Sequence, residues 1–578
     1  MLIVLGGAMY WSGTGRVKRA DFTFINRGDI GTLDPNRMSW MQDIRIGYAL
    51  WEGLYALDPQ TLEPVLGAAD RVDMSPDRTQ YTFHLRDDGR WSDGSLVTSD
   101  DFIFAWSRML QEPGDYTYLL YYIKGAEEYQ KAFADYADQR AAAYDRWDAA
   151  VRDARQKHLP DPPEPNVQPP SIPEGITASA DKRTLRVELK HPVAYFPDVC
   201  AFPPMFPLDE KSMDKQLDDD AQQALRRTGR RTYDARFTRP PNLISNGPYF
   251  LQSWEFKKTL VLRKNPYYWD RQHVRSETIE QVNADDPEWA FLEYDSGAVD
   301  WMAEVTGEIA AELKAKGRGD LRVFPGFGTY FYSVNCLPNL PDGQRNPLAD
   351  ARVRLALAMS LDKKAVIDTI TRMGEKPADT YVPPGIFKDY SSPPGIRDDV
   401  AAAQKLLADA GYPAGKGFPK LTILFNKESQ HGDIAQVVRR QWEQNLGVSF
   451  DLEGVEIKLF RTKLHSKNYA IARASWFGDY NDVSTFTDKY KSDSENNDSG
   501  WVNARYDALL HDAEYDSNPD PTHRLATLAQ AEQILCEEAP IIPVYFYNSA
   551  YLFRDDVKGI PLNPRMMLNF KSVYVEKK

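Results

Sequence analysis

Residues 86–110 read RDDGRWSDGSLVTSDDFIFAWSRML. Asp93-Gly94 has the chemistry of a turn, because Asp bonds its own backbone and Gly accepts positive φ. Thr98 or Ser99 then stands where a helix needs a side-chain oxygen to accept from its first free N–H groups. Asp100 and Asp101 follow, placing negative charge at the positive end of the helix dipole. Phe102 and Trp106, four residues apart, give that helix an apolar face. Just upstream, TQYTFHLRDD (79–88) alternates polar and apolar residues as a half-buried strand does. The stretch predicts strand, turn and capped helix, with no catalytic signature of its own.

Working outward, DFTFINRGD (21–29), TLRVELKHP (184–192) and LVLRKNP (260–266) alternate in the same way, so the opening third reads as strand-rich. From Lys124 to His158 the style changes. Ala, Asp, Arg and Gln dominate, and Tyr129, Phe133 and Tyr136 recur at helical spacing. LPDPPEPNVQPPSIPEG (159–175) follows, and its prolines cannot continue a helix. A surface helix or helical hairpin with an extended arm is expected over about 125–175. The later half is more helical. Helices are expected over 350–370, with Asp362 as a cap, and over 398–412, 433–445 and 525–539. KLTILFN (420–426) and PIIPVYFY (540–547) read as strands. This alternation predicts an α/β fold.

The chain has 578 residues, which at roughly 100–200 residues per domain means two to four lobes. The net charge of −14, with no dense Lys/Arg block, argues against nucleic acid as a partner. Cys200, Cys336 and Cys536 lie too far apart for a CxxC metal or redox motif and read as small buried hydrophobes. LIVLGGAM (2–9) is too short to span a membrane and resembles the end of a signal-peptide core without its basic leader.

SWFGDYNDVSTF (475–486) places Asp479 and Asp482 among Trp476, Phe477, Tyr480 and Phe486. A carboxylate among rings needs a compensating positive group. Asp482, four residues before Phe486, reads as a helix N-cap. Asp479 follows Gly478, where the backbone can approach a ligand closely. It caps a turn, pairs with Arg473 or Lys489 within the chain, or receives a cation from outside.

Taken in order, these motifs resemble the periplasmic oligopeptide-binding proteins, the family 5 extracellular solute-binding proteins of peptide and nickel ABC importers. The resemblance runs through LDP (33–35), WEGL (51–54), WSDG (91–94), SNGPYFLQSW (245–254), LRKNPYYWD (262–270), TYFYSVN (329–335), ARVRLALAMSLDKK (351–364), LLADAGYP (406–413), DYND (479–482) and PVYFYN (543–548). It covers nearly the whole chain; the insertion at 125–175 departs from it. It implies a three-domain, class II periplasmic-binding-protein-like α/β fold, with two lobes around a ligand cleft and an extra domain. The expected divisions are an N-terminal remnant (1–20), domain I (21–55, 200–327 and 549–578), domain II (56–199) and domain III (328–548). The ligand-binding residues it implies are Asp479, Trp476, Phe477, Gly478, Ser475, Arg473, Tyr480 and Phe331, with Tyr118 and a facing strand at Ser39, Trp40 and Met41. Asp479 matches the acid that receives a peptide's α-amino group. Gly328 and Phe477 stand where some relatives carry a disulfide. Ser39 replaces an acid, and Leu464 replaces an arginine.

The implied function is an extracytoplasmic receptor, monomeric, delivering oligopeptides to the permease of an ABC importer, without cofactor or metal. A second reading keeps the fold but exchanges the ligand for a metal chelate, an oligosaccharide or a cell-wall peptide. A hydrolase finds no support: GxSxG and HExxH are absent and no Cys/His set has a motif context.

Overall fold

The computed structural model describes residues 19–231, 235–516, 518 and 520–576; the apolar run at 2–9 lies outside them. One mixed sheet of eleven strands runs through the molecule. At one end lie Phe450–Val455, Leu421–Asn426 and Ile471–Phe477; at the other lie Trp301–Met302, Phe22–Arg27, Thr278–Ala284, Thr259–Lys264 and Tyr249–Glu255. Two long antiparallel strands, Leu321–Val334 and Ile541–Phe553, join the ends. Leu321–Pro325 pairs with Asn548–Leu552, and Thr329–Ser333 pairs with Ile541–Phe546, with register shifts between the two blocks. Pro325, Gly326 and Gly328 occupy the shifted stretch, where a missing donor and absent side chains weaken the ladder. PIIPVYFY is therefore the first half of a 13-residue strand and not a short one. Its second half is also buried, but Asn548 and Ser549 interrupt the apolar run, so that run marked only the first part.

A four-stranded antiparallel sheet, Ala69–Met74, Gln80–Leu85, Thr184–Glu188 and Ile176–Ala178, stands beside the large one. The opening stretch folds as its chemistry requires. Gly94 has φ +90°, and Thr98 and Asp101 form a reciprocal capping box at the start of Ser99–Gln111. Phe102 and Trp106 are fully buried, and the Trp106 indole N–H donates to the Met205 carbonyl at 2.9 Å. Asp362 caps Lys363–Val366 by accepting from the Ala365 N–H.

The 125–175 insertion is a single 31-residue helix, Ala126–Gln156, with the proline-rich arm laid back along it. The Trp147 indole N–H donates to the Pro162 carbonyl, and Arg155 pairs with Asp161. Tyr129, Phe133 and Tyr136 are buried, so this helix's aromatic stripe is covered from within the chain.

The three thiols are free, and burial raises their pKa values, that of Cys336 to about 11. They are packing groups, consistent with their apolar surroundings.

Candidate functional site

A cavity of about 330 Å³ opens between the two ends of the molecule. One wall is Ser39 and Trp40, just before the helix Met41–Leu50, with Asp115, Tyr116 and Tyr118 beside them. The other wall is Trp476, Asp479 and Asn496. Five sequence-predicted residues, Ser39, Trp40, Tyr118, Trp476 and Asp479, therefore meet from segments more than 350 residues apart in the chain. Asp115, Tyr116 and Asn496 join them without any local motif to announce it.

Asp479 is the distinctive group. Its backbone N–H donates to Thr485 Oγ1 at 2.8 Å, which orients the residue. Among the described residues no cation pairs with its carboxylate. Burial alone raises its pKa from 3.8 to about 6. Both in-chain candidates are engaged elsewhere. Lys489 pairs with Asp498 at 3.2 Å and lies 4.8 Å from the Trp476 ring centre. Arg473 reaches Tyr547 at 3.3 Å and Asn426 at 3.5 Å, over the Tyr330 ring. A half-buried carboxylate with aromatic walls and no partner can take up a cation.

Asp482 differs. Arg524 clamps it with two bonds of 2.7 and 2.9 Å, and it also accepts from the Ser484 N–H. It is a buried ion-pair member more than a helix cap. The signal was invisible locally because Arg524 is 42 residues downstream.

The strand Ile471–Phe477 pairs along its length with Gly328–Val334, and Gly328 sits directly opposite Phe477. Its other edge meets Leu421–Asn426 only at Ile471 and Ala472, so Arg473–Phe477 presents a free edge among the described residues. Free N–H and C=O groups of that kind can accept an added strand.

Several expectations are corrected. Ser39, Trp40 and Met41 do not form a facing strand: Trp40 is an extended N-terminal flank, and Met41 begins a helix. Helix propensity and the burial of Ile44 and Ile46 override an extended reading here. Phe331 is fully buried against Tyr381 and does not line the cavity. Gly478 is required for a different reason from the one its position suggested. A Cβ there would overlap the Phe327 ring, while its N–H donates to the Phe327 carbonyl at 3.0 Å. Tyr480 is turned away from the cavity of Asp479 and stacks on Tyr195 with ring centres 4.2 Å apart. Ser475 is half-buried within the strand, and Phe477 is exposed beside Tyr547, 4.7 Å between ring centres.

The two sides also touch beside the site. The Asn481 N–H donates to Asp198 at 3.0 Å, and Arg565 grips the same carboxylate with bonds of 2.8 and 3.0 Å. His191 pairs with Glu514 at 3.0 Å.

Residues 63–498 match the family model of the bacterial extracellular solute-binding proteins, family 5, middle region. The chain belongs to this family. Among curated relatives it is 29% identical to the oligopeptide-binding protein OppA of Bacillus subtilis, covering 91% of this chain and 87% of that protein. It is also 29% identical to the probable deoxycholate-binding periplasmic protein YgiS of Escherichia coli, over 96% of this chain and 93% of that one. Among solved structures, the unliganded open form of the periplasmic murein tripeptide-binding protein MppA matches with a TM-score of 0.74 at 27% identity, covering 97% of this chain and 98% of that one. The fold is thus the multidomain solute-binding fold of family 5, and these family 5 relatives are binding proteins rather than enzymes. The family is extracytoplasmic, and no helix among the described residues is long and apolar enough to cross a membrane.

Proposed function

We propose that this protein is the receptor of an ABC importer and binds oligopeptides between its lobes, with the peptide's free α-amino group paired to Asp479. The observation that carries this reading is the unpartnered, half-buried carboxylate of Asp479 in a cavity walled from both sides. The free edge at Arg473–Phe477 supports an extended ligand bonded through its main chain, which recognises any sequence. The rings of Trp40, Tyr118 and Trp476 supply apolar area without dictating a side chain. Closure would occur about the register shifts in the two long connecting strands, and the permease would read the closed form. Domain I is assigned to 21–55, 200–327 and 549–578, domain II to 56–199 and domain III to 328–548. The protein acts as a monomer, with no catalytic step and no cofactor.

A second reading replaces the free peptide by a cell-wall peptide, favoured by the likeness to the murein tripeptide-binding protein. Mass spectrometry of ligand released from purified, denatured protein separates the two. A thermal-shift series with free and N-acetylated peptides then tests the site, because a ligand that binds only the folded state raises its stability. Free peptides are expected to give the larger shifts; equal shifts would remove Asp479 from the binding role.

A further inference from the structure

A second chamber of about 250 Å³ lies one step along the helical segment Thr117–Tyr122, lined by Tyr122 where the first is lined by Tyr118. Its charged groups are mostly committed. Arg524 is clamped to Asp482, His191 is paired with Glu514, and Lys491 lies 3.9 Å from Asp493. Asp488 is the exception. It lines the chamber as an exposed side chain, and no Lys, Arg or His among the described residues pairs with its carboxylate. Its one hydrogen bond is a long one, 3.5 Å from the Tyr480 hydroxyl.

Tyr480 also fixes the spacing. The residue follows Asp479 in the chain, and its far end reaches Asp488. The two unpartnered carboxylates therefore sit at opposite ends of one tyrosine. Tyr118 is near enough to both to feel both charges. A peptide beginning with arginine or lysine carries two cations on one residue, the α-ammonium and the side-chain terminus, at a comparable reach. Tyr118 and Tyr122 offer rings on which a guanidinium can lie.

We propose that Asp488 is a specificity residue that receives the side-chain cation of a peptide whose first residue is arginine or lysine, while Asp479 holds that residue's ammonium group. The inference rests on peptide binding at Asp479. Desolvation raises the Asp488 pKa to about 7; Arg524 and Lys491 oppose the rise, and Asp482 and Glu514 add to it. An incoming cation would therefore displace a proton from Asp488.

The test is isothermal titration of the full chain with tri- to pentaalanine carrying arginine or norleucine at position one, or arginine at position two. The arginine-first peptides are expected to bind at least about tenfold more tightly than the other two sets. In Asp488→Asn that preference is expected to fall within about twofold, with the norleucine-first affinity unchanged. Peptide binding without a position-one preference would overturn this inference and leave the proposed function standing. Failure of every peptide to bind would overturn both. If Asp488→Asn does not fold, the wild-type chain decides the matter. Titrations at pH 7 in buffers of different ionisation enthalpy should show about half a proton more released by arginine-first than by norleucine-first peptides. Equal release would sink the assignment.

Discussion

Asp479→Asn is expected to strengthen the ligand-free protein while weakening its binding. The folded-state pKa of Asp479 is raised from 3.8 to about 6, so the folded protein holds this proton where the unfolded chain has released it. For such a group stability falls as pH rises from the unfolded to the folded pKa and then levels off. At about 1.36 kcal/mol per unit, the two-unit shift amounts to about 3 kcal/mol at pH 7.5 and about 1 kcal/mol at pH 4.5. Asparagine keeps the shape and removes the charge. The variant should therefore gain up to about 3 kcal/mol at pH 7.5 and only about 1 kcal/mol at pH 4.5, read from guanidinium titrations followed by tryptophan fluorescence. Affinity for free peptides should drop by about 2–3 kcal/mol, or about 30- to 150-fold, because a charge-assisted contact is lost. Wild-type affinity should also weaken about tenfold per pH unit below about pH 6, as the carboxyl protonates before binding. A variant that is less stable at pH 7.5 and binds peptides as the wild type does would refute the reasoning, because it would make Asp479 an internal structural acid.

Other outcomes follow from the same contacts. Arg524→Met leaves Asp482 buried without its guanidinium and should cost about 3–5 kcal/mol by denaturant titration at neutral pH. Burial opposes ionisation of Asp482, but Arg524 and Ser484 outweigh it and hold its pKa below the usual value. That stabilisation is present above the unfolded pKa of about 4 and lost as pH falls through the folded value, so the gap between the two proteins should narrow in acid. Gly478→Ala forces the Phe327 ring aside and should lower stability by about 1–3 kcal/mol, with peptide affinity falling as the Asp479 segment shifts; an unchanged melting temperature would contradict the overlap. Tyr195→Ala removes the stack on Tyr480 across the two sides, so small-angle scattering of the ligand-free protein should show a larger radius of gyration. An unchanged radius would mean that this stack does not hold the lobes together.

The local elements were legible because their causes are local. Thr98 and Asp101 cap a helix with groups three residues apart, and Thr184–Glu188 shows its buried face by alternation. Met41 was misread because two or three residues give no period to judge by. Phe331 was misplaced because both faces of its strand are covered, so alternation no longer tells core from cavity. The insertion's helix was legible, but the arm that covers it was not, since Trp147 and Pro162 meet only after the chain turns back.

The sequence by itself determined the family-level fold and marked Asp479 as an acid among rings. It could do so because caps, turns and apolar periodicity act over a few residues, and because the motifs keep their order. Which acid is free and which is satisfied was decided only in three dimensions. Asp482 finds Arg524 across 42 residues, Asp198 finds Arg565 across 367, and Asp479 and Asp488 find no cation among the described residues. Charge compensation depends on distance in space and on the water excluded by the surrounding protein, and neither quantity is written in the order of residues along the chain.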